Sequence, residues 1–426
     1  MSSVAQKTSG YWLVICHYLF SAVFFVSLCI LLLFSVPALN EHYFNPRLLA
    51  ITHMAALGWG TMIIFGSCYQ LLPVILETEL FSYKSGWFSF ILFVPGVILL
   101  VCSFWNFEPG ICMQAGSLFL LTAITAFVIN AFLTAKKNKN KDSVSQDFII
   151  TSSLWLLSTA ILGTLLVFNF RFAFLPKDHL HFLRLHAHLG IGGWFLLLII
   201  GVSSKLIPMF LVSKQQSTKL LTYSYYFINS ALLLFFVDTY INGLNFKTYF
   251  IALAGIAGIV FYLIYVRECF RSRIRKRIDL PITNTILSLV LLGLAILILP
   301  FIVYLSQKGN PLAIRFSTVY GTLLFLGWIS SIIMGQTFKT IPFIVWARHY
   351  EQLAGKFKTP LPADLFQNSL LKVQTWLFLT FCIIFYAGLM AQVSLLLYFG
   401  LLALLLSALC YLINVWKVIT HKAKTV

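Results

Sequence analysis

The chain has 426 residues, 60% hydrophobic and 10% charged, with a mean hydropathy of +0.92. A soluble domain sits nearer half apolar and a quarter charged, so the two or three soluble domains that length alone would allow are excluded. A net charge of +18 invites a nucleic-acid reading, but the charges are placed as an orientation signal for a membrane protein.

Apolar runs of the roughly twenty residues that cross a bilayer recur along the whole chain. They fall near 11–35, 48–75, 86–105, 111–134, 148–169 and 184–212, then near 221–242, 248–267, 281–305, 316–346, 371–390 and 393–416. Runs this long predict helices, because barrel strands would alternate over about ten residues. The expected class is an all-α integral membrane protein of about twelve transmembrane helices. The first run has one basic residue before it, Lys7, and exceeds a signal-peptide core, so it reads as an uncleaved signal anchor.

Assigning the connections alternately to two sides separates the charges. One side collects Lys136, Lys137, Lys139, Lys141, Lys214, Lys219 and the run Arg267, Arg271, Arg273, Arg275, Lys276, Arg277. Arg348, Lys356, Lys358, Lys372, Lys417, Lys422 and Lys424 join them. The other side holds only Arg47, Arg171, Lys177, Arg184, Lys247, Lys308 and Arg315. The positive-inside rule then predicts an inner (cytoplasmic) membrane protein with both termini in the cytoplasm and no nucleic-acid partner. Eight scattered cysteines without C-x-x-C spacing read as small apolar residues.

The second, sixth and tenth runs share one pattern. It reads His53, Gly58-Trp59, Gly66, Pro73 in the second and His188, Gly193-Trp194, Gly201, Pro208 in the sixth. In the tenth it reads Thr322, Gly327-Trp328, Gly335, Pro342. The offsets are 0, +5, +6, +13 and +20 each time, and the copies start 135 and 134 residues apart. That spacing predicts three pseudo-threefold four-helix arcs, over 1–142, 143–277 and 278–426. At 100° per residue both glycines and the proline share a sector of roughly 80°, suited to close helix packing, and the first position points the opposite way.

Nine histidines are present. His42, His179, His181 and His421 fall in loops or at helix ends, His349 follows the tenth run, and His17 sits inside the first. His53, His186 and His188 belong to the repeated helices. An ionisable group within a membrane helix is a functional candidate by default, and neutral imidazole is the commonest metal ligand and a haem ligand. Against that stands the low cost of a histidine near the interface. His186 and His188, two residues apart, project about 200° apart, so one regular helix cannot clasp a single ion with both.

Twelve helices in three arcs, with a histidine on the repeated second helix, resemble subunit I of the haem-copper oxidases, and with it the nitric oxide reductases and NnrS-like membrane proteins. The resemblance covers nearly the whole chain in topology, with specific motifs in the second and sixth helices. His53 with its following glycines and proline is similar to that family's second-helix axial ligand of a low-spin haem. The family's H-x-H pair lies on its tenth helix, whereas the matching His186 and His188 lie on the sixth here, and Tyr320 and Thr322 stand on the tenth. The seventh run has no histidine for a copper site.

The resemblance therefore implies a haem-binding redox or gas-handling membrane protein without a complete oxygen-reducing centre. The implied partners are an electron donor or respiratory subunit within the lipid bilayer. By the repeat, His53 and His188 are expected to ligate one haem from both sides. His186 would then face the tenth helix and Tyr320, with an open-coordinate haem or a copper ion as its ligand. Two rival readings stand. One is a haem-free transporter or channel, with Gln70, Lys205 and Lys339 at offset +17 forming a polar inner mouth unless the lysines snorkel. The other is an assembly or accessory protein of a respiratory complex.

Overall fold

The computed structural model describes residues 2–138, 143–214 and 217–422. Lys139, Lys141 and Lys424 of the charge pattern lie outside them. Twelve helices are long and apolar enough to cross a membrane. In chain order they are α1 (Gly10–Leu33), α2 (Pro46–Ile75), α3 (Tyr83–Asn106), α4 (Ile111–Lys136), α5 (Val144–Phe172) and α6 (His179–Leu211). The remainder are α7 (Lys219–Asn242), α8 (Lys247–Arg271), α9 (Leu280–Gln307), α10 (Leu312–Tyr350), α11 (Asn368–Ala391) and α12 (Ser394–Ile419). Among the described residues there is no strand. An even number of crossings leaves the start of α1 and the end of α12 on one face.

Helix starts follow local chemistry. Asn45 precedes Pro46 and accepts from the Leu48 N–H, Asp178 accepts from the His181 N–H, and Asp279 accepts from the Ile282 N–H. Each supplies an acceptor for a first-turn N–H that lacks an intrahelical partner. α6 and α10 begin earlier than their apolar runs, so His179 and His181 stand in the first turn of a spanning helix.

The repeat governs packing. A Cβ at Gly66 would meet His17 of α1 at 2.5 Å, one at Gly201 would meet Phe148 of α5 at 2.6 Å, and one at Gly335 would meet the Pro281 carbonyl of α9 at 2.6 Å. Each unit's second helix thus presses its +13 glycine onto the unit's first helix, a contact that any side chain would block. His17 is fully buried there, its Nδ1 bonded to the Leu13 carbonyl at 2.7 Å.

A feature absent from the sequence reading recurs at the same place in all three units. α2, α6 and α10 each widen into π-helical turns, over Met54–Thr61, Leu189–Leu196 and Leu323–Ile329, starting one residue after His53, His188 and Thr322. Such widened turns are rare in regular helices and frequent at functional sites. Within them the repeated tryptophans interlock around the centre. Trp59 Nε1 donates to Ser330 Oγ at 3.0 Å, and Trp194 Nε1 donates to Thr61 Oγ1 at 3.1 Å. In both cases the acceptor stands two residues after the neighbouring helix's tryptophan.

On the basic face, Lys339 pairs with Asp279, which also binds Arg275 at 3.3 Å. Lys339 therefore ties α10 to the start of α9 instead of snorkelling, while Lys205 is exposed.

Candidate functional site

One cavity of about 570 Å³ runs between the repeated helices in the half of the bundle opposite the prolines, and His53, His186 and His188 all line it. That volume lies in the range of about 300–1,000 Å³ typical of cofactor and ligand sites. Its walls are almost wholly aliphatic and aromatic. Among the described residues, Arg184 is the only permanently charged side chain that lines it.

His53 and His186 face one another. Their ring centres are 6.3 Å apart and their planes 25° apart. His53 reaches this position from the last turn before the π-helical segment of α2, with Phe104 of α3 stacked on its ring at 4.8 Å. His186 lies against α5, where Gly163 makes room for it: a Cβ there would stand 2.8 Å from His186 Cε1. His188 turns the other way, with its ring 4.7 Å from Phe235 of α7.

All three rings are held alike. His53 Nδ1 bonds the Leu49 carbonyl at 2.7 Å, His186 Nδ1 the Thr159 carbonyl at 3.1 Å and His188 Nδ1 the Arg184 carbonyl at 2.8 Å. A carbonyl only accepts, so each Nδ1 carries the proton and each neutral ring keeps its lone pair on Nε2. No Nε2 of the three has a hydrogen-bond partner among the described residues. A ring tied through one nitrogen to a carbonyl, with the other free, is the arrangement of a metal-ligating histidine.

The expected pairing of His53 with His188 is corrected by this geometry, and so is the expectation that His186 faces α10. His53 and His188 hold equivalent repeat positions, and each packs on the third helix of its own unit, Phe104 of α3 and Phe235 of α7. Residues related by rotation look into successive gaps around the axis and not at each other. The partner of His53 is therefore the residue two positions before His188.

The spacing of the pair is of the size a haem requires. A single iron between two imidazoles needs about 4 Å between nitrogens, from bonds of about 2 Å, and hence about 6 Å between ring centres. The observed 6.3 Å matches. The donor set fits a copper ion at His186 poorly. Among the described residues no group of three His, Cys, Asp or Glu side chains could hold a metal, whereas a haem brings four donors of its own.

Some of the surroundings were not anticipated. His179, placed by the sequence in a loop or at a helix end, stacks on Phe170 at 4.3 Å and lines the cavity. Thr159 and Gly163 of α5 carry no sequence motif and are identified only by their contact with His186. Tyr320 and Thr322 of α10 also line the cavity, and the repeat sets Tyr320 in the gap that His188 faces.

No family model and no curated protein matches the chain by sequence. In structure it is similar to a haem-copper terminal oxidase solved as a dimer by cryo-electron microscopy. The TM-score is 0.66 at 10% identity, covering 98% of this chain and 85% of the oxidase chain. At that identity the likeness speaks for the fold alone, and the chain accordingly shares the all-α membrane fold of that oxidase chain.

Proposed function

We propose that this is a haem-binding redox protein of the inner membrane, and that His53 and His186 would hold one haem between them. The observation that carries this reading is the opposed pair at 6.3 Å, each ring tied through Nδ1 to a backbone carbonyl. When bound, the haem supplies one-electron exchange between ferric and ferrous iron. The residues do the rest. Leu49 and Thr159 fix tautomer and ring direction, Phe104 and Gly163 shape the walls, and Arg184 offers a cation to an anionic edge. With two histidines holding the haem, electron transfer would be favoured over gas binding at this site. An electron donor or a respiratory subunit is the partner this chemistry calls for.

The test is an absorption spectrum of the purified, detergent-solubilised protein after expression with haem supplied. Sharp reduced-state bands of a six-coordinate low-spin haem are the expected result. A colourless protein would favour the haem-free transporter or channel instead. Orientation is tested separately: reporters fused after Lys276 and Lys358 should read as cytoplasmic, and those near His42 and Asn310 as external. A consistent reversal would overturn the positive-inside assignment.

A further inference from the structure

Six of the eleven residues from Arg267 to Arg277 are basic and one, Glu268, is acidic. They close α8 and lead toward α9, on the basic face and away from the cavity. An orientation signal explains the sign of these charges but not their crowding. The α2–α3 connection of the first unit, on the same face, carries Glu77 and Glu79 and no base over 76–82. Its counterpart in the second unit, the α6–α7 connection, instead places Lys214 next to the basic run.

That placement is built by the backbone. Ser213, just past α6, forms an antiparallel bridge with Arg273. The Ile274 N–H donates to the Val212 carbonyl at 3.1 Å and the Arg275 N–H to the Leu211 carbonyl at 3.3 Å. Arg275 also shares the Asp279 carboxylate with Lys339 of α10, two cations on one anion. Arg273 folds back, its Nη1 donating to the Phe270 carbonyl at 2.6 Å. Arg271, Arg275, Lys276, Arg277 and Lys214 are left exposed. Among the described residues Arg271, Lys276 and Arg277 have no ion-pair partner.

The same pairing raises an apolar tip among these cations. Met209, Val212 and Ile274 are each more than half exposed, around the ends of α6 and α8. Val212 takes a φ of +50°, a left-handed conformation that glycine normally supplies at a helix end. A β-branched side chain there is strained, and in water it would bury nothing. Contact with acyl chains offsets that cost.

We propose that residues 209–214 and 271–277 form a binding site for an anionic phospholipid of the adjoining leaflet. The guanidinium and ammonium groups take the phosphate diester, and the apolar tip meets the acyl chains. Charge complementarity selects this occupant. A zwitterionic headgroup would bring its own cation to a cluster already in excess, and soluble phosphate would leave the tip in water.

Native mass spectrometry of the full-length protein released from neutral detergent tests the site, with dioleoylphosphatidylglycerol, dioleoylphosphatidylcholine or inorganic phosphate added in turn. Phosphatidylglycerol should give a saturable adduct that the other two do not match. Each cation near anionic headgroups strengthens association about 5-fold. Arg271→Gln, Lys276→Gln and Arg277→Gln combined should therefore weaken phosphatidylglycerol binding by about 10-fold or more. Ile274→Ser, which leaves every charge in place, should weaken it about 3- to 10-fold. Lys356→Gln with Lys358→Gln, on the same face in the α10–α11 connection, should leave it unchanged. Equal affinity for the two lipids overturns the proposal, as does binding of phosphate alone at the affinity of phosphatidylglycerol. A loss from the Lys356 and Lys358 changes as large as that of the triple variant also overturns it, because net charge and not this site would then hold the lipid.

Discussion

Two gaps between the repeated helices invite comparison, because the fold builds them alike and the sequence fills them differently. The α2–α6 gap sets His53 against His186, two nitrogen ligands 6.3 Å apart between ring centres. The α6–α10 gap offers His188 and Tyr320 at the equivalent positions, one good ligand and one hydroxyl. A third gap has Thr322 and Ile51, which offer no metal ligand. A threefold scaffold thus supplies three similar frames, and the side chains at two repeat positions decide which frame can hold a metal. His186 and His188 serve different frames because 200° of helix separates them.

The comparison breaks most sharply at the ligands. His53→Ala should abolish the six-coordinate low-spin spectrum, since the iron loses one of two protein ligands. A retained spectrum would move the site out of the α2–α6 gap. Gly163→Ala comes next: the new methyl would stand 2.8 Å from His186 Cε1 and push the ring off its position. Haem content in the purified protein should fall several-fold without vanishing. Gly321→Ala on α10, where a Cβ meets nothing within 4 Å, should leave haem content unchanged.

Smaller effects sharpen the scaffold side of the comparison. Gly335→Ala drives a Cβ to 2.6 Å from the Pro281 carbonyl, which is backbone and cannot swing away. A loss of about 1–3 kcal/mol of stability is expected from such overpacking, read as a lower melting midpoint. Trp59→Phe and Trp194→Phe each remove one buried hydrogen bond and should cost about 0.5–1.5 kcal/mol beyond the change in packing. Trp328→Phe removes no internal bond. It should be the mildest of the three, and equal losses at all three positions would contradict the missing bond at Trp328.

Much of the fold was readable from residue order. Twenty-residue apolar runs can satisfy their backbone in lipid only as helices, and the Gly-Trp-Gly-Pro offsets exposed the threefold plan and the glycine faces that pack on α1, α5 and α9. The three histidines of the site were also visible as ionisable groups in repeated helices. Their pairing was not. Equivalence in a repeat says that two residues have the same surroundings, and only the hand of the rotation says which neighbour each one meets. The π-helical turns left no trace either, because a shift from i+4 to i+5 hydrogen bonding is set by tertiary packing around small residues. The same holds for Lys339, whose partner Asp279 is sixty positions away, at the start of α9.

The central claim is that His53 and His186, and not His53 and His188, hold one metal between them. The measurement that tests it most directly is the reduced-minus-oxidised absorption spectrum of His186→Ala beside that of His188→Ala, each purified after haem-supplemented expression. The account predicts that His186→Ala loses the low-spin bands and that His188→Ala keeps them at wild-type intensity per haem. Loss in His188→Ala with retention in His186→Ala would contradict it and restore the pairing expected from repeat position alone.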